Sequence, residues 1–262
     1  MADTLRSISV NLDSCYIAIV GPESARLPVL ATINHCSDLN RLGFCIEFIL
    51  ERECGKGLYS AINFAISSVS VNWVNLTYIN DDDLLGYYFK TVSVLRRKCS
   101  SDSFAYGKVR MINEVGASLG YIPTISSAVT FEALLAQGIS PLNQQGMIIP
   151  RALWEKLGGF RTEYMLCADL DFWLRAHRLG WPFKYYPLEV GQFRIREGQL
   201  SGDTHKLEAE IAAVFARDAP RKIGRLEKFY ARWQFRIKNL PIYINRFISG
   251  RRLRGMKLLA GK

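Results

Sequence analysis

No stretch of this 262-residue chain sustains the roughly 20 apolar residues that a bilayer-spanning helix needs. Its start, MADTLRSISV, has no long apolar segment of the kind found in a secretory leader. None of the six cysteines (Cys15, Cys36, Cys45, Cys54, Cys99, Cys167) belongs to a CxxC pair. They read as separate thiols in a reducing cytosol rather than as a disulfide framework or a zinc site. Internal repeats and low-complexity segments are also absent from the sequence. Hydrophobic residues make up 49% of the chain and aromatics 12%, which excludes extensive disorder and suffices for one large core with an appendage.

The C-terminal end is nearly devoid of acids. Between Arg221 and Lys262, thirteen lysines and arginines face one acid, Glu227, so the net charge of +10 resides there and the residues before it are slightly acidic. Leu226, Phe229, Tyr230, Trp233, Phe235 and Ile237 interleave with those cations, Pro241 interrupts, and FISGRRLRGMKLL resumes the pattern. A basic amphipathic stretch with Trp and Phe suits an anionic membrane surface. A C-terminal helix packed on the body with solvated arginines has the same pattern. The aromatics follow helical spacing rather than forming a stacking platform, so no nucleic-acid partner is expected.

Upstream, short strand and helix patterns alternate. YIAIV (16–20), FCIEFIL (44–50), WVNLTYI (73–79), FAYGKVRMI (104–112) and FKYYPL (183–188) read as strands. Thr4 to Val10, KGLYSAINFAISSV, LLGYYFKTVSVLRRK, TFEALLAQ, PRALWEKLGGF and DLDFWLRAHRLG read as helices. This order predicts an α/β fold on a mainly parallel sheet. From about residue 204 the chain reads as helical and peripheral.

One stretch is chemically odd. The strand ending at Ile79 runs into Asn80 and then Asp81, Asp82 and Asp83, three carboxylates that repel one another. In open α/β sheets, ligands bind beyond the carboxyl ends of strands. Acids there either hold a hard divalent cation such as Mg²⁺ or Mn²⁺, or cap the following helix. Asp169 and Asp171, in CADLDFWLR, open a helix and read either as capping acids or as a site carboxylate. Apolar flanks would raise the pKa of Asp169 toward that of a general base.

Four segments in order resemble the family 2 glycosyltransferases of the GT-A fold, of the bacterial kind that builds cell-surface polysaccharide or glycolipid. They are ERECGKGLYSAINFAI, VNWVNLTYINDDDLL, NQQGMIIPRALWEKLGGFRTEYMLCADLDFWLR and FRIREGQLS, together covering roughly residues 15–203. The resemblance implies a GT-A-like three-layer α/β/α sandwich over residues 1–203 and a basic helical extension over 204–262. It implies a metal (Mg²⁺ or Mn²⁺) at Asn80 and Asp82 with Asp83 beside them, and Asp169 as the catalytic base. It places Glu53, Lys56 and Asn63 near the nucleotide and Arg194 at the diphosphate. Gln144, Gln145, Asp171, Trp173 and Arg175 fall on the acceptor side. The implied reaction is inverting transfer from a UDP- or GDP-linked sugar to a glycan or polyprenyl-phosphate-linked acceptor. The implied location is cytoplasmic and peripheral, at the inner face of the cell membrane.

The resemblance weakens on the donor side. The family opens with a strand ahead of its first helix, whereas this chain begins in that helix, giving an N-terminally short domain. Where the family has its base-binding aspartate, this chain has Val20 or Gly21, with Glu23 as a partial substitute. Gly55, Ser60 and Arg161 replace further family aspartates. The alternative is therefore a catalytically inactive GT-A-like domain that serves as a membrane-associated binding or scaffold protein. A metal-dependent nucleotidyltransferase fits less well, because no Gly-rich phosphate loop follows the first strand.

Overall fold

The computed structural model describes residues 1–11, 15–36, 44–51, 57–86, 103–196, 204–218, 221–248, 252–254 and 257–259. Helix α1 (Ala2–Asn11) precedes strand β1 (Tyr16–Gly21), which pairs in parallel with β2 (Cys45–Leu50). Between them lies helix α2 (Glu23–His35), which the sequence reading did not anticipate. Pro28 stands inside it, where proline normally removes a backbone hydrogen bond, and only Val29 and Ile33 are buried. Neither signal marks a helix.

Helix α3 (Leu58–Ser68) buries Tyr59, Ala61, Ile62 and Ala65. Of the strand predicted at 73–79, only β3 (Asn75–Leu76) pairs, antiparallel with β7 (Ile149–Pro150). The segment predicted as a helix from Leu84 starts instead as strand β4 (Leu84–Leu85), antiparallel to β8 (Phe183–Arg194). Its remainder, 87–102, lies outside the described residues. Strand β5 (Phe104–Ile112) runs parallel to β8 and antiparallel to β6 (Ser118–Tyr121), so the four-stranded sheet has the order β4-β8-β5-β6.

The alternation of β5 shows why two layers cover this sheet. Phe104 and Tyr106 point into the larger core cluster and Ala105 into a smaller one, and all three are buried. The smaller cluster draws on α1, α2 and β2. The larger draws on α4 (Phe131–Leu135), α5 (Arg151–Leu157) and α6 (Ala168–Arg178). Gly158 closes α5 in the left-handed conformation, at φ 69°, as the Gly-Gly pattern predicts.

Helix α7 (Thr204–Ala216) adds Ile211 and Val214 to the larger cluster, and α8 (Arg225–Lys238) adds Ala231 and Phe235. Helix α9 (Leu240–Ile248) has no buried residue. A hairpin of β9 (Arg252–Arg254) and β10 (Lys257–Leu259) follows. Among the described residues no helix is long and apolar enough to cross a membrane. Cys36, Cys45 and Cys167 are free thiols; Cys54 and Cys99 lie outside the described residues.

Candidate active site

The three aspartates that crowd one another in sequence meet three different environments. Asp81 is exposed, Asp82 is partly covered, and Asp83 is 0% exposed. Oδ1 of Asp83 accepts the Arg194 backbone N–H at 2.8 Å. Its Oδ2 accepts Gln145 Nε2 at 2.9 Å and Asn80 Nδ2 at 3.3 Å. Burial pushes the Asp83 carboxyl up to about 6, against the pull of these donors. Asp82 Oδ2 accepts Arg196 Nε at 2.8 Å, and Nη2 of the same guanidinium also pairs with it. Helix α1 braces the loop: Thr4 Oγ1 donates to the Asp81 carbonyl at 2.7 Å, and the Leu85 amide donates to Ser7 Oγ at 2.9 Å.

Asp169 sits in the first turn of α6. The Leu170 amide donates to its Oδ1 at 2.8 Å, and the hydroxyl of Tyr59, on α3, donates to the same oxygen at 3.0 Å. Tyr78, on the extended run before the aspartates, brings a second hydroxyl near, without a hydrogen bond of normal geometry among the described residues. Burial pushes the Asp169 carboxyl up to about 6, and the amide and hydroxyl donors partly offset it. Burial, and then the charge of Asp169, raise both tyrosines well above their usual range, so both stay protonated at neutral pH. This is a carboxylate whose proton affinity suits a general base.

One cavity of about 1590 Å³ brings the two ends together. Gly21, Asn80, Asp82, Gln144, Gln145, Asp169 and Trp173 all border it, as do Tyr59 and Tyr78. Gln144 Oε1 has no hydrogen-bond partner among the described residues. A buried acceptor left unpaired costs about 1–3 kcal/mol.

Other expected site residues serve the frame. Asn63 does not face that cavity: its Nδ2 donates to the Phe160 carbonyl at 2.7 Å and its Oδ1 accepts the Phe160 amide at 3.0 Å. Asp171 is buried between Arg161 and Arg175, and Arg175 spends its remaining donors on the carbonyls of Leu157 and Gly159. The two therefore brace the end of α5. Arg194 donates to the carbonyls of Asp82, Asn113 and Glu114, so it clamps the loop. Glu23 is exposed and pairs with Arg26 at 3.4 Å. Glu53 and Lys56 lie outside the described residues.

Three residues escaped the sequence reading. Tyr59 stands in the quoted GLYSAIN segment, and Tyr78 two residues before Asn80; both look like core aromatics until Asp169 is placed. Arg196 follows Arg194 by two, on the same side of an extended chain, which is the signal that it shares the aspartate loop.

Asp82 and Asn80 offer the cavity only oxygen and amide donors, the hard ligands that Mg²⁺ or Mn²⁺ prefers. Asp83 is committed to the loop, and Asp82 gives one oxygen to Arg196. Among the described residues no group of three or more His, Cys, Asp and Glu gathers as a closed metal cage. The donor set therefore fits an ion that takes its remaining ligands from substrate and water, not an all-protein site.

No protein-family model matches the sequence, and no curated protein sequence does either. Solved structures do match. One is the mannosyltransferase PcManGT from Pyrobaculum calidifontis, in complex with GDP-Man and Mn²⁺. It has a TM-score of 0.55 at 15% identity, covering 94% of this chain and 69% of that one. Another is TarS from S. aureus, with a TM-score of 0.51 at 11% identity, covering 91% of this chain and 40% of that one. The chain has a glycosyltransferase fold, a mixed α/β arrangement with parallel pairing at β1–β2 and β5–β8.

Proposed function

We propose that this chain is an inverting glycosyltransferase of the family 2 type that moves a sugar from a nucleoside-diphosphate donor to a hydroxyl acceptor. The observation that carries the reading is one cavity bordered by two carboxylates from opposite ends of the site, Asp82 on the aspartate loop and Asp169 in the first turn of α6. Asp169 takes the proton of the acceptor hydroxyl. The acceptor oxygen forms a bond to the anomeric carbon from the face opposite the leaving group. The bond from that carbon to the diphosphate oxygen breaks, and its electron pair leaves with the nucleoside diphosphate. Tyr59 keeps Asp169 oriented, and Gln144 Oε1 is placed to accept a hydrogen bond from a sugar hydroxyl.

Asp82, with Asn80, would hold Mg²⁺ or Mn²⁺, which when bound offsets the negative charge gathering on the diphosphate. Arg196, paired to Asp82, is the protein's own cation at the same place. The GDP-Man and Mn²⁺ held by the Pyrobaculum protein support a GDP- or UDP-linked donor. The acceptor is a glycan or a polyprenyl-phosphate-linked sugar of a bacterial cell-surface pathway. That reading puts the protein at the inner face of the membrane, with its basic C-terminal helices supporting a peripheral position.

Calorimetric titration of nucleoside diphosphates and their sugars, with Mn²⁺ present, tests the donor. Wild-type turnover with loss in both Asp82→Ala and Asp169→Asn is the expected result; binding of no nucleotide overturns it. A second reading, an inactive binding domain, is favoured by one observation: Glu23, the substitute for the missing base-binding acid, points to solvent and pairs with Arg26. Nucleotide binding without turnover, equal in wild type and Asp169→Asn, would favour that reading.

A further inference from the structure

Helix α8 has two apolar faces, and only one is used. Ala231 and Phe235, four apart, are buried in the core. Leu226, Phe229, Trp233 and Ile237 repeat at spacings of three and four on the opposite side, and all are exposed, Phe229 at 71% and Trp233 at 54%. The spacing runs on into α9 through Leu240, Ile244 and Phe247, the last at 85% exposure. Solvent-facing aromatics in such a row are costly on an unpartnered surface and mark an interaction face. Arg225, Arg232 and Arg236 lie along one flank of the α8 stripe, exposed and without an ion pair among the described residues.

We propose that this α8–α9 face docks on an anionic bilayer surface, with Phe229, Trp233 and Phe247 entering the headgroup region and the three arginines meeting lipid phosphates. Charge decides the occupant. Residues 221–248 carry Glu227 as their one acid, and it is already paired with Arg221, so the face repels basic partners, and a second copy would bring like charges against its arginines. An apolar stripe flanked by arginines is the pattern of a helix lying in the interface plane. The other sides of the same helices contribute Phe235, Tyr243 and Arg246 to the cavity, so the docked bilayer and the site share a wall. The relevance of that wall to a lipid-linked acceptor rests on the glycosyltransferase reading; the docking itself does not.

Co-sedimentation of the full chain with vesicles tests it. Binding is expected to phosphatidylcholine vesicles containing phosphatidylglycerol, to be weak with phosphatidylcholine alone, and to fall as salt rises. Phe229→Ser with Trp233→Ser and Phe247→Ser should lower vesicle affinity about tenfold or more while the melting temperature and nucleotide titration stay at wild-type values. Arg225→Gln with Arg232→Gln and Arg236→Gln should lower the affinity for anionic vesicles and flatten its salt dependence, which keeps the test decisive if the first variant misfolds. Wild-type protein that stays in the supernatant overturns the proposal. So does a serine variant that binds as wild type, or single-stranded RNA that binds equally well to the serine variant and displaces vesicles. Nucleotide titration on the same samples reads the donor site separately, so failure of one proposal is not mistaken for failure of the other.

Discussion

Tyr59 and Asp169 are 110 residues apart in sequence and 3.0 Å apart in the fold, with the phenol donating to the carboxylate. Burial holds the Asp169 carboxyl at about 6 instead of its ordinary 3.8. A base must be unprotonated to act, so sugar transfer should fall with a single proton's slope as the pH drops below about 6. Tyr59→Phe removes a donor that favours the ionised form, so this acid limb should move to higher pH. A pH profile of kcat/KM in both proteins measures the shift, and an unmoved limb would remove Asp169 from the role.

The same shift has a sign for stability. A carboxyl raised above its unfolded value contributes stability that is complete below about pH 3.8 and is lost as the pH rises through about 6. At pH 7 the ionised Asp169 therefore costs the fold free energy. Asp169→Asn should melt at or above the wild-type temperature while losing roughly 10²–10⁴-fold in transfer. A variant that lost both together would point to a structural carboxylate.

Asp82 and Asp83 should separate cleanly on mutation. Asp83→Ala strands the buried Gln145 amide and the Arg194 backbone N–H, each costing about 1–3 kcal/mol. Urea unfolding should show that loss. Asp82→Ala breaks a pair whose arginine is 44% exposed, worth about 1 kcal/mol at most, so the fold should survive while metal-dependent turnover disappears.

That contrast marks the limit of what the sequence discloses. The triplet announces a site because adjacent acids need compensation, but nothing in DDD says which one is compensated by the core. The donors that decide it come from 62 and 111 residues away. Strand 104–112 and the helix opening at Ala168 were legible because their apolar periodicity is local. Helix Glu23–His35 was not, because a proline interrupts a weak pattern. The Asp171–Arg175 pair was legible in principle, because a spacing of four puts both on one helix face.

Arg196 already occupies part of the expected cation position. An ion pair of this exposure is worth about 0.2–1 kcal/mol, so removing it should tighten Mn²⁺ binding to Asp82 by up to about fivefold when no nucleotide is present. Calorimetry or electron spin resonance of Mn²⁺ with Arg196→Ala measures it. Weaker Mn²⁺ binding in that variant would mean that the arginine organises the aspartate loop instead of competing with the ion.

The turn before α6 depends on an amide far from any chemistry. Asn63 both donates to and accepts from the Phe160 backbone, and Phe160 packs edge-on against Tyr59 and Tyr78. A Cβ on Gly159 would meet Asn63 Oδ1 at 2.8 Å, and the φ of +79° is already hostile to any other residue. Gly159→Ala should therefore cost more than the approximately 1 kcal/mol typical of a point change, read as a lower urea midpoint. Because the displaced Phe160 supports both tyrosines beside Asp169, the same variant should also move the acid limb of the pH profile. A stability loss with an unchanged limb would show that the turn holds the fold but does not position the base.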